Sequence, residues 1–303
     1  MSRDKAIRVA SPTEQSDPAT RDIDLLPTQE VLRLINEADR IVPEAVGRVL
    51  PELAEAADAA VAALRGGGRV HYVGAGTSGR LAVLDAAELV PTFNVPPEWF
   101  LAHQAGGPDA YQQAVENAED DAEAGAREIR ESASGKDFVL GLAASGRTPY
   151  VISALAAARE LGAGTALVTA NPNPGEVPAD VVIAADTGPE PISGSTRMKA
   201  GTAQKLVLTS FSTAVMIRLG RVYSNFMVSM LATNAKLRGR TINILQEATG
   251  EAEHACSEAL TAAGGDLKAA LVHLLSGADV ERSAAALALA DGQVRDALRD
   301  LAG

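Results

Sequence analysis

The spacing of hydrophobic residues divides the chain into stretches of different secondary structure. From Thr28 to Leu64 apolar residues recur at helical spacing, and three consecutive glycines at 66–68 then end the pattern. Four short apolar runs follow, at 69–75, 137–144, 164–170 and 181–186. Their length and their content of Val, Leu and Ile are typical of buried strands, and helical patterns of about 10–15 residues lie between strands. The order predicts strands that alternate with helices.

Strands that alternate with helices in this way form a mainly parallel sheet with helices on both faces. We therefore expect an α/β fold, a doubly wound, flavodoxin-like domain of three layers. In such a domain ligands bind beyond the carboxyl ends of the strands, where Gly-rich turns lie. Two turns of this kind, GAGTSGR (74–80) and ASGRTP (144–149), follow the first two runs.

The two ends of the chain differ from this central pattern. Residues 1–26 are polar and rich in Pro, Asp and Thr, which indicates a loosely ordered arm. The pattern is mostly helical from 196 to 245, and the Ala-rich tail predicts three short helices that resemble a ubiquitin-associated module. The expected domains are an arm at 1–26, an α/β domain with N-terminal helices at 27–245, and a small helical module at 246–303.

The charge balance restricts the partners. The chain has 27 Lys and Arg against 39 Asp and Glu, a net charge of −12. Such a charge repels nucleic acids, so we expect no nucleic-acid partner, and an anionic substrate must meet a specific local site. We expect Cys256, the single cysteine, to be a buried thiol, not a nucleophile. With no apolar signal or spanning stretch, we expect a soluble, cytoplasmic protein without membrane attachment.

The turn GAGTSGR follows a strand and begins a helix, where backbone N–H groups and the helix dipole favour an anion. Its spacing also satisfies GxGxxG, so dinucleotide binding and a plain tight turn are alternatives. A dinucleotide site needs an acidic residue at the end of the next strand, whereas here Glu98 lies at its start. The hydroxyls within the turn suit a single phosphate, and we expect Gly76, Thr77 and Ser78 to bind one.

Two further segments carry hydroxyl and cationic side chains at a predicted helix start. In the first, Thr148 and Pro149 could also be an ordinary N-cap and first helical residue, which is compatible with phosphate binding. In the second, GSTRMKAGTAQK (194–205), a structural role for one of the two cations is an alternative. The candidate phosphate-binding residues are Ser145, Gly146, Arg147 and Thr148 of the first segment, and Ser195, Thr196, Arg197 and Lys199 of the second.

Longer strings around these turns are more specific than any one of them. In chain order they read GAGTSGRLAVLDAAE, ENAEDD, AASGRTPYV, STRMKAGTAQKLVL and ATNAKLRGRTINI. They closely resemble the N-acetylmuramic acid 6-phosphate etherases, members of the sugar isomerase (SIS) superfamily of phosphosugar-binding domains. The resemblance extends over roughly residues 12–250, and the tail fits the small C-terminal module of that family.

The resemblance implies a function and its residues. It implies a lyase that converts N-acetylmuramic acid 6-phosphate and water to N-acetylglucosamine 6-phosphate and D-lactate in cell-wall amino sugar recycling. It further implies a homodimer that needs no metal or redox cofactor. The two functional glutamates of the family fall on Glu88, at the end of LDAAE, and Glu119, within ENAED.

The chemistry of this reaction requires two carboxyl groups. A base removes the proton at carbon 2 of the open-chain sugar, beside the carbonyl, and an acid protonates the lactyl oxygen as it leaves carbon 3. The resemblance assigns Glu88 as the proton donor and Glu119 as the base, whereas the sequence alone leaves the order open. Glu88 lies in an otherwise apolar helical stretch, and burial there would raise its pKa, as a neutral acid requires; from the residues alone, a solvated carboxylate at a helix end is the alternative.

The distance between the turn and Glu88 bears on where the site lies. A continuous helix carries Glu88 about 15 Å from the GAGTSG turn, at ~1.5 Å per residue. Over that distance we do not expect one subunit to place Glu88 on a sugar whose phosphate lies at the same turn, so we expect the site at the dimer interface. The alternative is that the phosphate is held elsewhere.

The sequence offers no metal site, and two other functions are alternatives to the etherase. His71 has the pattern of a satisfied core residue, and the four histidines show no paired spacing suited to a metal. An aldose–ketose phosphosugar isomerase would use a similar proton transfer on the same fold. A non-catalytic phosphosugar sensor would usually need an attached domain that this chain does not show.

Overall fold

Two units make up the part of the chain that the computed structural model describes, which is residues 11–113, 115–230, 232 and 235–303. The first unit extends to Ala86 and includes Glu98–Phe211. The second consists of Ala87–Pro97 and Ser212–Gly303. The domain boundary expected after residue 245 falls inside a helix of the second unit.

The first unit begins with three helices. They are α1 (Thr28–Asp39), α2 (Ile41–Gly47) and α3 (Leu50–Arg65), and they occupy the stretch in which apolar residues recur at helical spacing. The predicted stop is confirmed, since α3 ends at Arg65 and the backbone N–H of Gly66 donates to Ala62 O.

Strands and helices alternate through the rest of the first unit, as predicted, and the last parts of two of these helices belong to the second unit. The strands and helices are β1 (Val70–Gly74), α4 (Gly76–Phe93), β2 (Phe100–Gln104), α5 (Ala122–Ser132), β3 (Phe138–Leu142), α6 (Pro149–Leu161), β4 (Gly164–Thr169), β5 (Val181–Ala184) and α7 (Lys199–Arg218). The five strands pair in parallel in the order β2-β1-β3-β4-β5, the order of flavodoxin-like sheets. The predicted α/β fold with a doubly wound parallel sheet is confirmed.

Helices cover both faces of the sheet. Neighbouring residues of a buried strand point to opposite faces and therefore pack against different helices. Val139 packs in one cluster with α5 and α6, which includes Tyr150 and Leu155. On the other face the ring of Phe138, one residue earlier, stacks on Phe211 of α7 at 6.0 Å between centroids. Both faces of β3 are thus buried, which explains its uninterrupted apolar run.

A buried polar network joins β1 to the start of β3. Asp137 accepts hydrogen bonds from the backbone N–H groups of Arg69 and Ser134, both at 2.8 Å, and lies 3.3 Å from His71 Nε2. The other ring nitrogen of His71 lies 3.0 Å from His103 Nε2. Burial first, and then the neighbouring His103, lower the pKa of His71 to about 4. The prediction that His71 is a satisfied core residue is confirmed.

The described part of the N-terminal arm is ordered, so the expectation of a loose arm is wrong for residues 11–26. This segment contains three short 3₁₀ helices. Thr20 Oγ1 donates to Pro191 O at 2.8 Å, and the backbone N–H of Gly194 donates to Thr13 O at 2.9 Å. The polar composition suggested mobility, but a hydroxyl group and a backbone carbonyl of this segment bind backbone atoms of residues 191 and 194. Residues 1–10 lie outside the described residues.

The second unit is mainly helical. A hairpin of two short strands, β6 (Val222–Tyr223) and β7 (Phe226–Met227), lies in the stretch predicted to be mostly helical, and the helix α8 (Ala235–Thr249) follows. The tail forms α9 (Glu253–Ala262), α10 (Leu267–Ser276), α11 (Val280–Leu289) and α12 (Val294–Ala302). The tail therefore contains four short helices, one more than predicted.

The core of the second unit is built from small and aliphatic side chains. Cys256 packs there with Leu245 and Leu271, and all three are fully buried. Burial raises the pKa of the Cys256 thiol, which keeps it protonated. The expected buried thiol is confirmed.

Candidate active site

The GAGTSG turn lies directly after β1, and α4 begins at Gly76 within it. Gly79 has no room for a side chain, because a Cβ there would lie 2.0 Å from Gln104 Oε1 and 2.7 Å from Gly74 O. Ser78 is buried, and its hydroxyl donates to Gln204 Oε1 at 2.8 Å. The sequence suggested that this hydroxyl binds phosphate, whereas here it ties the turn to α7.

The second turn, residues 143–148, follows β3. Gly146 adopts a φ of +72°, and a Cβ there would lie 2.6 Å from Pro174 Cβ, so the turn requires glycine. Ser145 Oγ accepts the backbone N–H of Arg147 at 3.2 Å, and Arg147 itself is exposed. Thr148 is the N-cap of α6 and Pro149 is its first residue, as the N-cap alternative predicted. The Thr148 side chain, however, makes no capping hydrogen bond.

The third segment precedes α7 and is organised by a residue that the sequence did not indicate. The buried carboxylate of Glu190 accepts the backbone N–H groups of Lys199 at 2.8 Å and Ala200 at 2.9 Å. Burial raises the pKa of Glu190, against the opposing effect of these hydrogen bonds. Since Glu190 occupies these first amides of α7, anion binding by this segment would depend on its side chains.

The candidate side chains of this segment differ in exposure. Lys199 is 4% exposed, which favours the structural role left open for one cation, whereas Arg197 is exposed. Ser195 and Thr196 are half-buried. The segment lies beside the first turn, because a Cβ at Gly201 would lie 3.5 Å from Thr77 Cγ2.

The topology brings the first two turns to one edge of the sheet. They follow β1 and β3, which are neighbours and mark the point where the strand order reverses. Ligands of doubly wound sheets bind at this switch point. The structure thus places the predicted phosphate-binding turns where this fold binds its ligands.

A cavity of about 190 Å³ opens beside the first turn. It brings together two predicted site residues that are distant in sequence, Gly76 and Glu119. The turn after β3 and the segment before α7 are not among its lining residues in the described chain. Its polar lining also includes three side chains that we did not single out from the sequence, Arg80, Gln104 and Glu116.

Arg80 holds one wall of this cavity in place. Its Nε donates to Ala110 O and Tyr111 O, both at 3.1 Å, and its Nη2 donates to Gln113 O at 3.2 Å. These carbonyl groups belong to the segment that leads to Glu119. The signal was present in the sequence, since Arg80 is the last residue of GAGTSGR.

Gln104 is a polar side chain with an unused acceptor. It is 3% exposed, and its Oε1 has no hydrogen-bond partner, whereas its Nε2 donates weakly to Ala105 O at 3.5 Å. An unpaired buried amide oxygen carries a desolvation cost. Its position at the carboxyl end of β2 was the signal available in the sequence.

The acidic run near Glu119 divides into residues with different roles. Glu119 is exposed and lies in a 3₁₀ helix (Ala118–Asp120) that follows Asn117, which has a φ of +59°. Asp121 caps α5 by accepting the N–H of Ala124 at 2.9 Å. Glu116 shares the cavity with Glu119, so two carboxylates of one chain line it.

Glu88 is exposed, as the alternative of a solvated carboxylate predicts, and burial is wrong for the single chain. Leu89, the next residue, is the one that turns inward. The helix that carries Glu88 is continuous from Gly76 to Phe93, as the distance argument assumed. With ~1.5 Å per residue, Glu88 lies about 18 Å along the helix axis from Gly76.

In residues 11–113, 115–230, 232 and 235–303, no three or more His, Cys, Asp or Glu side chains are grouped in a way that could hold a metal ion. No helix in the described part of the chain has the length and apolar character needed to cross a bilayer.

Known proteins resemble this chain at two levels. Residues 52–159 match the family model of the glucokinase regulatory protein N-terminal SIS domain. The fold also resembles a phosphoheptose isomerase from Francisella tularensis, with a TM-score of 0.51, 20% identity, and coverage of 63% of this chain and 100% of that chain. At this identity the likeness shows the fold alone.

Curated relatives match at much higher identity. An N-acetylmuramic acid 6-phosphate etherase from Thermobifida fusca is 58% identical over 269 residues, 88% of each chain. Another from Pectobacterium atrosepticum is 49% identical over 288 residues, 94% of this chain and 95% of that one. This extended match includes the strings around Gly76, Glu88, Glu119, Ser145 and Ser195. The chain belongs to the N-acetylmuramic acid 6-phosphate etherase family.

Proposed function

We propose that this protein cleaves the D-lactyl ether of N-acetylmuramic acid 6-phosphate, giving N-acetylglucosamine 6-phosphate and D-lactate. The observation that carries the proposal is the 58% identity to a curated etherase over 88% of the chain. The reaction is a carbon–oxygen lyase reaction that completes with the addition of water. Its place is the recycling of cell-wall amino sugars, in the cytoplasm.

Glu119 acts as the base in this proposal. It lines the cavity beside the first turn, and its carboxylate removes the proton at carbon 2 of the open-chain sugar. The electron pair forms the double bond between carbons 2 and 3 as the lactyl oxygen leaves carbon 3. Arg80 supports Glu119 by holding the preceding segment through three carbonyl groups.

Glu88 acts as the acid that protonates the departing lactyl oxygen. Water then adds at carbon 3, with a carboxylate taking its proton, and carbon 2 is reprotonated. Positioned proton transfer of this kind contributes ~10²–10⁴-fold to the rate of a step. The exposure of Glu88 in the single chain is compatible with burial when a second chain covers it.

The sugar phosphate binds at the switch point of the sheet. Gly76, Thr77, Gly146 and Thr148 surround it from the turns after β1 and β3, and the half-buried hydroxyls of Thr77 and Thr148 suit a phosphate. Arg147 and Arg197 are exposed cations at the edges of these segments. They supply the local positive charge that a chain of net charge −12 needs to hold an anion.

The active site is completed by two subunits of a homodimer. The continuous helix α4 separates Glu88 from the first turn by about 18 Å along its axis. One chain therefore supplies the turns and Glu119, and the partner chain supplies Glu88. No metal or redox cofactor takes part in this proposal.

Lactate release tests the reaction. Purified protein is incubated with N-acetylmuramic acid 6-phosphate in the presence of a chelator, and D-lactate is measured with a coupled dehydrogenase. We expect one lactate for each N-acetylglucosamine 6-phosphate formed, and near-total loss in Glu88→Gln and Glu119→Gln. Glu98→Gln and Glu123→Gln remove exposed carboxylates outside the proposed machinery and serve as matched controls. Isomerised sugar phosphate without lactate would contradict the proposal and favour an isomerase.

Mixed dimers test the shared site. Glu88→Gln and Glu119→Gln chains are unfolded together, refolded and assayed. If each site joins Glu119 of one chain to Glu88 of the other, every mixed dimer has one intact site, and random pairing restores about a quarter of the wild-type activity. A mixture as inactive as its parents would place both glutamates of a site in one chain.

A further inference from the structure

A second cavity, of about 380 Å³, lies entirely within the second unit. Its volume falls in the ~300–1,000 Å³ range of small-molecule sites. Its wall combines apolar side chains such as Met230 and Leu267 with the polar residues Asn94 and Ser229. A cavity of this composition suits a small ligand with a polar or charged group.

Two cations from distant parts of the chain line this cavity. Arg221 precedes the β6–β7 hairpin, and Lys268 is the second residue of α10. Each cation donates to a backbone carbonyl group: Arg221 Nη1 donates to Asn94 O at 3.3 Å, and Lys268 Nζ donates to Gly292 O at 2.9 Å. These hydrogen bonds place both cations at the wall of the cavity.

Of the charged residues that line the cavity in the described chain, two are cations and one is a carboxylate, although the chain as a whole is acidic. Burial lowers the pKa of Arg221, and burial followed by the charge of Arg221 lowers the pKa of Lys268 to about 8. Asp266 opposes this effect on Lys268, but more weakly than Arg221. Asp266 is also engaged as a helix cap, with Oδ1 accepting the N–H groups of Lys268 and Ala269.

An anion that entered the cavity would relieve the repulsion between the two cations. A phosphate monoester carries a charge of about −1.5 to −2 at neutral pH and offers several acceptor oxygens. The apolar and amide part of the wall leaves space for an organic group beside the phosphate. We propose that the cavity between Arg221 and Lys268 binds a small phosphorylated metabolite at a site separate from the catalytic turns.

The test uses the full chain and the reactivity of Lys268. An amine with a pKa of about 8 is partly deprotonated at pH 8, so Lys268 reacts with an acylating reagent that mass spectrometry can locate. The probes are glucose 6-phosphate, inorganic phosphate and glucose, each at matched ionic strength. Lys136, which is exposed, provides the reference within the same molecule.

We expect glucose 6-phosphate to slow the labelling of Lys268 and leave Lys136 unchanged. Protection should grow with concentration and reach about fivefold when the ligand is at about four times its dissociation constant. Arg221→Gln should lose this protection, whereas Lys236→Gln, which removes an exposed charge elsewhere, and Thr148→Ala, in a catalytic turn, should keep it.

Three results would overturn the proposal. They are no protection by glucose 6-phosphate, equal protection by inorganic phosphate or glucose, and full protection in Arg221→Gln. If Arg221→Gln does not fold, the comparison of the three probes on the unaltered protein decides, since it needs no substitution.

Discussion

The two cavities differ in the charges of the side chains that line them. In the first unit, the cavity beside the GAGTSG turn contains one cation, Arg80, and two carboxylates, Glu116 and Glu119. In the second unit, the cavity contains two cations, Arg221 and Lys268, and a single carboxylate that caps a helix. Among the described residues that line them, one cavity is rich in proton acceptors and the other in positive charge.

This difference corresponds to two kinds of chemistry. A carboxylate that is exposed to the cavity and not used as a cap can accept a proton from a substrate, which suits elimination. Lysine and arginine side chains at a cavity wall can hold an anion through charge-assisted hydrogen bonds. The comparison favours proton transfer at the first cavity and anion binding at the second.

The largest effect should separate the two carboxylates of the first cavity. Glu119→Gln should lower the rate of lactate release by ~10²–10⁴-fold, because the amide cannot accept the proton from carbon 2. Glu116→Gln should keep the rate within about twofold if Glu88 of the partner is the acid. The measurement is kcat for lactate release at saturating substrate.

The opposite pattern would change the proposed site. Equal loss in both variants would make Glu116 the second carboxyl group and remove the need for a partner chain. Circular dichroism of each variant checks that the fold is retained.

The fold was predictable to a large extent because its signal is local. The apolar runs at 69–75 and 137–144 became β1 and β3, and the glycines at 66–68 ended α3. The hairpin β6–β7 was missed, since four paired residues produce no recognisable period. The arm was misjudged because its stability comes from hydrogen bonds to a segment far away in sequence, such as that of Thr20 to Pro191.

The site was predictable only in part. The turns were visible as Gly-rich strings, and the family resemblance, not the composition, selected Glu119 from an acidic run. Gln104 and Glu190 were missed because their importance comes from burial, which tertiary structure decides. The pairing of Arg221 with Lys268 had no signal at all, since no spacing rule connects a hairpin with a distant helix.

The second effect concerns pH and should distinguish the two units. The pKa of His71 is about 4 in the folded protein and 6.5 when unfolded, so unfolding takes up a proton between these values. The stability contributed by neutral His71 is fully present above pH 6.5 and is lost as the pH falls towards 4. Asp137, Arg69 and His103 are the charged and titratable groups around it.

Lys268 makes the stability of the second unit depend on pH in the alkaline range. Its pKa is about 8 in the folded protein and 10.5 when unfolded, so the stability of the second unit should rise between pH 8 and 10.5. Hydrogen exchange of amides in β1 and in α10 measures the two units separately. His71→Phe should flatten the acid slope in β1 and Lys268→Met the alkaline slope in α10, whereas His254→Gln, at an exposed position, should change neither. Identical slopes in both units would show that they unfold together.

The smallest expected effect comes from removing the one carboxylate that lines the second cavity in the described chain, which would increase the difference in charge between the two cavities. Asp266→Ala should lower the free energy of unfolding by ~1 kcal/mol, because α10 loses its N-cap. The same change should strengthen the binding of glucose 6-phosphate by about two- to fivefold, since a charge that repels the phosphate is gone.

Asp279→Ala is the matched control for this substitution. It removes an equivalent cap from α11, where Asp279 Oδ1 accepts the N–H of Arg282, and Asp279 does not line the cavity. Denaturant unfolding and protection of Lys268 from acylation provide the two measurements. If both variants lose stability but only Asp266→Ala gains affinity, electrostatic repulsion between the Asp266 carboxylate and the phosphate limits binding in the unaltered protein. If Asp266→Ala weakens binding instead, Asp266 contacts the ligand itself, and the cavity accepts a donor group beside the phosphate.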